Sequence, residues 1–372
     1  MGKQACSRRC FLKLGLSATL LPSTIQSAGI FSGDTEAGVR EAAYYSKLPE
    51  KKVVCDLCPN ACRVADLERG NCGVRENRGG NYYTLIYGQV CARHIDPVEK
   101  KPLFHYYPGA QAYSLATAGC NFSCRFCQNW EISQKRPEQV RAVTLPPSEV
   151  VRQARENHCR IIAHTYNEPV VFFEYLRDCA AIGKENGIPN VMISNGYIQA
   201  KPLREICRLL DAVKIDLKSF SDQFYQQQCG GRLKPVLDTL LILKEEKIWF
   251  EIVVLLVPTL NDSAREIGEM SRWIVKELGV DVPLHFSRFF PTYMIRNLPP
   301  TPPAVLTQAR TIALNAGMKF VYIGNWSSEA ENTLCPNCGK LLIERVRFSV
   351  AIKGLQGNLC RNCRTVIPGR FT

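Results

Sequence analysis

Three cysteines form the pattern in this sequence with the clearest chemical meaning. Cys120, Cys124 and Cys127 are spaced C-x3-C-x2-C, and Phe126 directly precedes the third. Cysteine thiolates are the usual ligands of iron–sulfur clusters, so three of them can hold three corners of a [4Fe–4S] cube. A structural zinc site, the alternative, needs four ligands, and no fourth cysteine lies nearby in the sequence. We therefore predict a [4Fe–4S] site with one iron open to a ligand.

Two further groups of cysteines have metal-binding spacing. The N-terminal cysteine set, spaced C-x2-C-x3-C-x9-C, is Cys55, Cys58, Cys62 and Cys72. The C-terminal cysteine set, two C-x2-C pairs around a hairpin-like segment, is Cys335, Cys338, Cys360 and Cys363. The second pattern is typical of a zinc ribbon, although a rubredoxin-type iron uses the same ligands. For the first, zinc and a second iron–sulfur cluster are both open, because spacing does not decide between them.

The elements that must position these residues alternate between strands and helices. Strand candidates are residues 113–118, 161–165, 190–194, 212–217, 249–256, 284–289 and 319–323. Helix candidates are residues 147–157, 170–186, 201–210, 233–246, 263–278 and 303–316. Apolar runs of strand length alternating with amphipathic helices predict βα units and a parallel sheet. The predicted fold class is α/β, a partial (β/α)6 barrel with a small module at each end.

Polar residues follow or end successive predicted strands. They are Glu168, Asn195, Asp216, Lys218 and His285. A barrel binds its ligand at the carboxyl ends of its strands, so these side chains are candidates for one binding site. Each also has a structural alternative. Glu168 could cap a helix, Asn195 could belong to a turn, Asp216 and Lys218 could form a salt bridge, and His285 could be an ordinary strand histidine.

Length and composition bound the organisation of the chain. Its 372 residues suffice for one large domain with small appendages. A hydrophobic fraction of 46% excludes wholesale disorder. We predict a leader and linker over residues 1–47, a Cys-rich module over 48–110, the barrel over 111–330 and a ribbon-like module over 331–372. The formal charge is +13, but Lys and Arg are dispersed, so no specific nucleic-acid partner is predicted.

The stretch from Cys120 to Trp130 resembles the signature of the radical S-adenosylmethionine (SAM) superfamily. In that superfamily the amino and carboxylate groups of SAM chelate the open iron. An electron from the cluster cleaves SAM to methionine and a 5′-deoxyadenosyl radical, which abstracts hydrogen from a substrate. The resemblance implies SAM and a [4Fe–4S] cluster as cofactors, a low-potential electron donor as partner, and a radical SAM oxidoreductase as the function.

The surrounding residues resemble the pyruvate formate-lyase activating enzyme group. Cys127-Gln128-Asn129 is similar to that group's Cys-His-Asn, which implies that Phe126 and Asn129 lie beside SAM. Residues 166–169 stand where the group has Gly-Gly-Glu-Pro, which binds the SAM amino group. Here Tyr166 and Asn167 replace the two glycines, so the approach of the backbone to SAM must differ.

The same resemblance implies further SAM contacts. Asp216 and Lys218 look like that group's Asp-Leu-Lys contact to the ribose and carboxylate region, and His285 looks like its histidine near the adenosyl group. Glu168 and Asn195 complete the implied SAM-binding set. A glycyl-radical-enzyme activase is therefore an alternative function within this class.

A narrower resemblance, over residues 53 to 370, is to the AmmeMemoRadiSam-system radical SAM enzymes. It rests on the N-terminal Cys-x2-Cys-Pro motif, residues 96–101, 127–130 and 165–169, and the C-terminal cysteine set. Members of that family are encoded with Memo-family and AMMECR-family proteins, so these are the implied partners. The hydrogen-donor substrate is not identified. From other classes, a zinc-rich nucleic-acid-binding protein and a secreted disulfide scaffold are the alternatives.

The first residues match a twin-arginine export signal. Arg8 and Arg9 precede a mildly apolar run over residues 14–21, and small residues follow at 27–29. Such a signal is an address read by a receptor, and the run is too short for a membrane span. It indicates export, whereas SAM and low-potential donors are cytoplasmic, so the localisation stays open.

Overall fold

The structure, a computed structural model, describes residues 38–372. The predicted twin-arginine signal lies outside the described residues. Within the described part of the chain, no helix is long and apolar enough to cross a membrane. The division into four segments remains a prediction, apart from the end of the first segment.

Short antiparallel strands surround the N-terminal cysteine set. They are β1 (Arg40–Glu41), β2 (Tyr45–Lys47), β3 (Val53–Cys55), β4 (Arg63–Val64), β5 (Arg75–Arg78), β6 (Asn81–Thr84) and β7 (Gln89–Val90). Strands β1, β6 and β5 form one sheet, and β2, β3 and β4 form another.

The predicted linker is wrong at its end, because β1 and β2 belong to the fold. The Tyr44 ring packs edge-on against Phe173, with ring centroids 5.3 Å apart. The Ala43 amide donates to Glu174 Oε1 at 2.7 Å. Strands of two or three residues show no periodic pattern, so the sequence carried no signal for them.

The centre of the fold is an eight-stranded sheet in the order β16-β15-β14-β13-β12-β11-β9-β8. The next strands along the chain are β8 (Ala92–Pro97), β9 (Gln111–Ala116), β10 (Val143–Thr144), β11 (Ile161–His164), β12 (Asn190–Ser194), β13 (Ala212–Asp216), β14 (Trp249–Leu256), β15 (Leu284–Arg288) and β16 (Val321–Gly324). Within the sheet, β9 and β11 to β16 run parallel, and β8 pairs antiparallel with β9. The short strand β10 pairs with β7 outside it. The predicted α/β fold with a partial-barrel parallel sheet is confirmed.

Helices connect the parallel strands. They are α1 (Trp130–Ser133), α2 (Pro147–Glu156), α3 (Phe173–Glu185), α4 (Ala200–Cys207), α5 (Asp222–Phe224), α6 (Leu233–Glu245), α7 (Ala264–Trp273) and α8 (Pro303–Asn315). Proline at the first position, where no amide donor is needed, starts α2 and α8. Ser263 caps α7 by accepting from the Glu266 amide. All residues of β11 and β12 are buried, which explains their continuous apolar character.

The C-terminal module packs on the segment that precedes β9. Its strands are β17 (Thr333–Leu334), β18 (Leu341–Val346), β19 (Ser349–Ile352), β20 (Leu355–Gln356) and β21 (Leu359–Cys360). Arg345, only 3% exposed, donates to Phe104 O at 2.7 Å and to Thr333 Oγ1 at 2.9 Å. Its guanidinium carbon lies 4.1 Å from the Phe104 ring centroid. One buried arginine thus connects this module to the barrel.

A buried ion pair connects the N-terminal strands to α3. Arg75 Nη2 lies 2.6 Å from Glu174 Oε2, and both side chains are at most 2% exposed. Arg75 also donates to Ala43 O at 3.3 Å and to Val171 O at 3.4 Å. Burial alone would lower the pKa of Arg75, but the Glu174 carboxylate outweighs burial and the pKa is raised.

We predict that Arg75→Met lowers the free energy of unfolding by about 3–5 kcal/mol, because it leaves Glu174 buried and unpaired. Urea denaturation of the metal-loaded protein, followed by circular dichroism, measures this change. The control is Arg63→Met, which alters an exposed arginine of β4. Equal stability of the two variants would contradict the prediction.

Candidate active site

One cavity of 500 Å³ lies at the carboxyl ends of the parallel strands. It is lined by every predicted cluster- and SAM-binding residue except His285, namely Cys120, Cys124, Phe126, Cys127, Asn129, Glu168, Asn195, Asp216 and Lys218. Their positions at the ends of β9, β11, β12 and β13 follow from the parallel sheet, which brings these strand ends to one edge.

Side-chain amides hold the cysteine loop, residues 119–129, in place. Asn167 Nδ2 donates to Gly119 O at 2.9 Å. Asn60 Nδ2, from the N-terminal module, donates to Asn121 O at 2.9 Å. Asn195 Nδ2 donates to Asn121 Oδ1 at 2.8 Å. The loop has no regular secondary structure, so the first two bonds satisfy backbone carbonyls that would otherwise be unpaired, and the third fixes the Asn121 side chain.

The start of the loop requires glycine. Gly119 has φ +87°, a left-handed conformation that side chains disfavour. A Cβ at this position would lie 2.5 Å from Val74 Cγ1 and 2.8 Å from Cys72 O. The loop therefore passes in direct contact with the N-terminal module.

Cys229 lies beside the loop, which the sequence did not predict. A side-chain hydrogen bond from Cys229 lowers the pKa of Cys124, and burial raises the pKa of Cys229 well above its usual range. Cys229 is fully buried and does not line the cavity, so three cysteines face it. An isolated cysteine carries no spacing signal that could have identified it.

Tyr166 adopts the left-handed conformation usually left to glycine, with φ 69°. Asn129 Nδ2 donates to Tyr166 O at 2.7 Å, and the Tyr166 hydroxyl donates to Asp96. The Lys101 ammonium lies 4.5 Å from the Tyr166 ring centroid and 2.6 Å from Asp96 Oδ2. These contacts hold the strained residue where the related group has glycine.

Glu168 is both a helix cap and a lining residue of the cavity. Its carboxylate accepts from Val170 N at 3.1 Å, Ser194 Oγ at 2.7 Å and Asn195 N at 2.7 Å. Burial raises its pKa to about 7 against these donors. Glu168 therefore caps a helix and is also placed for its candidate binding role. Its hydrogen bonds join the ends of β11 and β12.

Asp216 lies between two lysines. Lys214 Nζ is 2.5 Å from Asp216 Oδ1, and Lys218 Nζ is 3.0 Å from Asp216 Oδ2. Burial would raise the pKa of Asp216, but the two ammonium groups outweigh burial and lower it to about 2. The carboxylate is thus ionised at neutral pH and presents a fixed charge to the cavity.

His285 does not reach the cavity. Its Nε2 lies 2.7 Å from Glu251 Oε2, and its ring stacks on Tyr322 with centroids 5.0 Å apart. Ser287, two residues further along β15, lines the cavity instead. Side chains two apart share one face of a strand, so His285 occupies a deeper layer of the barrel interior. The structure thus gives no support for the expected contact of His285 with the adenosyl group, which stays a prediction.

The two four-cysteine sets differ in geometry. Within residues 38–372, the C-terminal set is the only group of three or more His, Cys, Asp or Glu side chains whose ligand atoms all lie within 4.8 Å of one another. A single metal ion could be bound there. The N-terminal set lines a separate small cavity together with Tyr82 and Arg75.

The three loop cysteines fit a cluster better than a single ion. They line one cavity, yet they do not form a group within 4.8 Å among the described residues. Each thiolate of a [4Fe–4S] cluster binds a different iron, so wider separation is required. All cysteines in the described part of the chain are free, which leaves no support there for a disulfide scaffold.

Comparison with known proteins agrees with this site. Residues 114–271 match the radical SAM superfamily. The protein MJ0808 of Methanocaldococcus jannaschii is 46% identical over 328 residues, which cover 87% of this chain and 98% of that protein. Pyruvate formate-lyase 1-activating enzyme of Escherichia coli (strain K12) is 26% identical over 163 residues, covering 41% of this chain and 65% of that enzyme.

Among solved structures, a radical SAM methyltransferase from Sphaerobacter thermophilus is similar with a TM-score of 0.47 and 15% identity, covering 66% of this chain and 72% of that chain. The residues that match the superfamily run from β9 through the cysteine loop into α7. The match to MJ0808 extends over most of both chains. The chain therefore belongs to the radical SAM superfamily, whose enzymes use a [4Fe–4S] cluster and SAM.

Proposed function

We propose that this enzyme cleaves SAM reductively and uses the resulting 5′-deoxyadenosyl radical to abstract hydrogen from a protein or small-molecule substrate. The observation that carries the proposal is the 500 Å³ cavity, which brings three loop cysteines to the same place as polar and charged residues from three strand ends. When bound, a [4Fe–4S] cluster supplies the electron for this cleavage. The class of the enzyme is then an oxidoreductase.

The cavity residues have distinct proposed roles. Cys120, Cys124 and Cys127 hold the cluster. Asp216 accepts hydrogen bonds from the ribose hydroxyls of SAM. Lys218 forms an ion pair with the carboxylate of SAM. Both roles suit the charges of these residues. Asp216 remains ionised, and Lys218, which lies 3.0 Å from Asp216 in the structure, can share its hydrogen bonds between Asp216 and the carboxylate of SAM.

The remaining lining residues position SAM. Phe126 packs on it, and Asn129 and Asn195 orient it while holding the loop. The carboxylate of Glu168 accepts hydrogen bonds from the amino group of SAM. Phe126, Glu168 and Asn195 are buried, and the exclusion of water strengthens the polar contacts of the last two.

We propose further that the enzyme belongs to the AmmeMemoRadiSam system and acts with Memo-family and AMMECR-family proteins. The support is the combination of both four-cysteine sets with residues 96–101 and 165–169. In the structure these two stretches meet, because Tyr166 contacts Asp96 and Lys101. A low-potential electron donor completes the proposed partners.

A glycyl-radical-enzyme activase is the second candidate. It is favoured by the 26% identity to pyruvate formate-lyase 1-activating enzyme. That likeness covers 41% of this chain, so it leaves most of the chain, including part of its cysteine-rich modules, unexplained. A glycyl radical signal in a partner protein after turnover would support this candidate over the first.

We predict that anaerobic protein forms 5′-deoxyadenosine from SAM and dithionite, and that Cys124→Ala abolishes this product. The cluster is bound by three thiolates, and with one of them removed the protein no longer binds it stably. Liquid chromatography of the quenched reaction measures the nucleoside. The control is Cys91→Ser, which alters a partly buried cysteine outside the cavity. Fully clustered wild-type protein that forms no nucleoside would refute the proposed function.

Asp216→Asn should weaken SAM binding about tenfold or more, because a hydrogen bond to a charged group contributes about 1.5–3 kcal/mol. Anaerobic calorimetric titration of cluster-loaded protein with SAM measures the dissociation constant. Asp238→Asn, at an exposed site on α6, is the matched control. An unchanged dissociation constant in Asp216→Asn would exclude its proposed contact with ribose.

A further inference from the structure

We propose that the N-terminal cysteine set holds a second iron–sulfur cluster, which relays electrons to the site in the cysteine loop. The relay rests on the proposed function, whereas the identity of the second site does not. Zinc is the competing occupant. Four observations on the described residues separate the two.

The first observation is the separation of the sulfurs. Four thiolates on one tetrahedral zinc at about 2.3 Å lie about 3.8 Å from one another. The C-terminal set matches this geometry, with 3.5 Å between Cys335 Sγ and Cys363 Sγ and 3.7 Å between Cys338 Sγ and Cys360 Sγ. Within residues 38–372, no three sulfurs of the N-terminal set lie within 4.8 Å of one another. Sulfurs that surround a small cavity without grouping around a single point suit a cluster with one iron for each thiolate.

The second observation is the ring of backbone donors around the sulfurs. The Asn71 amide donates to Cys62 Sγ at 3.4 Å. Near the other three sulfurs of the set, the backbone groups of Leu57, Asn60 and Val74 counteract the rise in pKa that burial causes. Hydrogen bonds to cysteine sulfurs are among the means by which proteins tune the potential of iron–sulfur clusters.

The third observation is an unpaired polar group aimed into this cavity. Tyr82 is fully buried, lines the cavity, and its hydroxyl has no hydrogen-bond partner. A buried hydroxyl without a partner is costly, and a sulfide or thiolate in the cavity would accept its hydrogen. Arg75, also a lining residue, adds a buried positive charge beside thiolates.

The fourth observation is contact with the cysteine loop. Cys72 and Cys120 line one open groove of 1040 Å³, and Asn121 lines both this groove and the N-terminal cavity. The absence of a side chain at Gly119 lets the Cys72 carbonyl approach the loop. The two cysteine sites are therefore neighbours.

The electron balance of the relay is simple. A reduced low-potential protein donor, such as a ferredoxin, gives up one electron and is thereby oxidised by one electron. The N-terminal cluster takes up that electron and then passes it to the cluster in the cysteine loop. The relay site returns to its starting state, and no bond forms or breaks there.

The decisive experiment removes the first site and analyses the metals. The variant Cys120→Ala/Cys124→Ala/Cys127→Ala, purified anaerobically and reconstituted with iron and sulfide, should retain about four iron and four sulfide per chain, together with about one zinc. Its dithionite-reduced form should show the electron paramagnetic resonance signal of a reduced cluster. About two zinc and no iron would overturn the proposal. Neither result depends on SAM cleavage, so failure of the proposed function would be seen separately in the wild type.

A second variant tests the relay. Cys58→Ala/Cys62→Ala should lose about four iron relative to the wild type. It should form 5′-deoxyadenosine far more slowly than the wild type with reduced ferredoxin, yet retain most of the dithionite-driven rate, because a small reductant reaches the loop site directly. Retention of zinc by the C-terminal set shows that the variant is folded. As a control, Cys91→Ser should change neither the ferredoxin-driven nor the dithionite-driven rate. Equal losses with both reductants in folded protein would contradict the relay.

Discussion

The backbone of the cysteine loop must be held rigidly although the loop itself forms no helix or strand. Asparagine amides from three separate segments meet this constraint, with Asn60 from the N-terminal module, Asn167 after β11 and Asn195 after β12. A loop that presents thiolates cannot also pair its own carbonyls regularly, so its donors must come from elsewhere. The barrel edge, the N-terminal module and the loop therefore form one interdependent structure, and the geometry of the cysteines depends on all of them.

The sequence predicted most of what positions the site. Continuous apolar runs identified every parallel strand, because strands buried on both faces have no polar side. The strand ends then followed, and nine of the ten predicted cluster- and SAM-binding residues line one cavity. The predicted strands bring these residues to one edge because a parallel sheet converts order along the chain into position in space. The cysteine patterns indicated where metals bind, but in the two four-cysteine sets they could not distinguish one metal ion from a cluster, because that depends on the distances between sulfurs.

What the sequence could not predict depends on contacts between distant segments. Tyr166 takes a conformation that its residue type disfavours, and only the contacts with Asp96, Lys101 and Asn129 make this understandable. The same holds for His285, whose depth within the barrel is set by a carboxylate on the neighbouring strand. In both cases the residue type alone suggested an expectation, whereas the surrounding residues determined the observed conformation or position.

The antiparallel strand β8 has a consequence for solution behaviour. An open parallel sheet leaves unpaired backbone groups at its margins, and a bare margin beside β9 would invite pairing with a second molecule and aggregation. Strand β8 covers that margin, and it carries exposed Arg93 and ends in Pro97. Charge and proline both discourage further strand addition. The sheet can thus remain incompletely closed around a reactive centre without becoming a template for self-association along this edge.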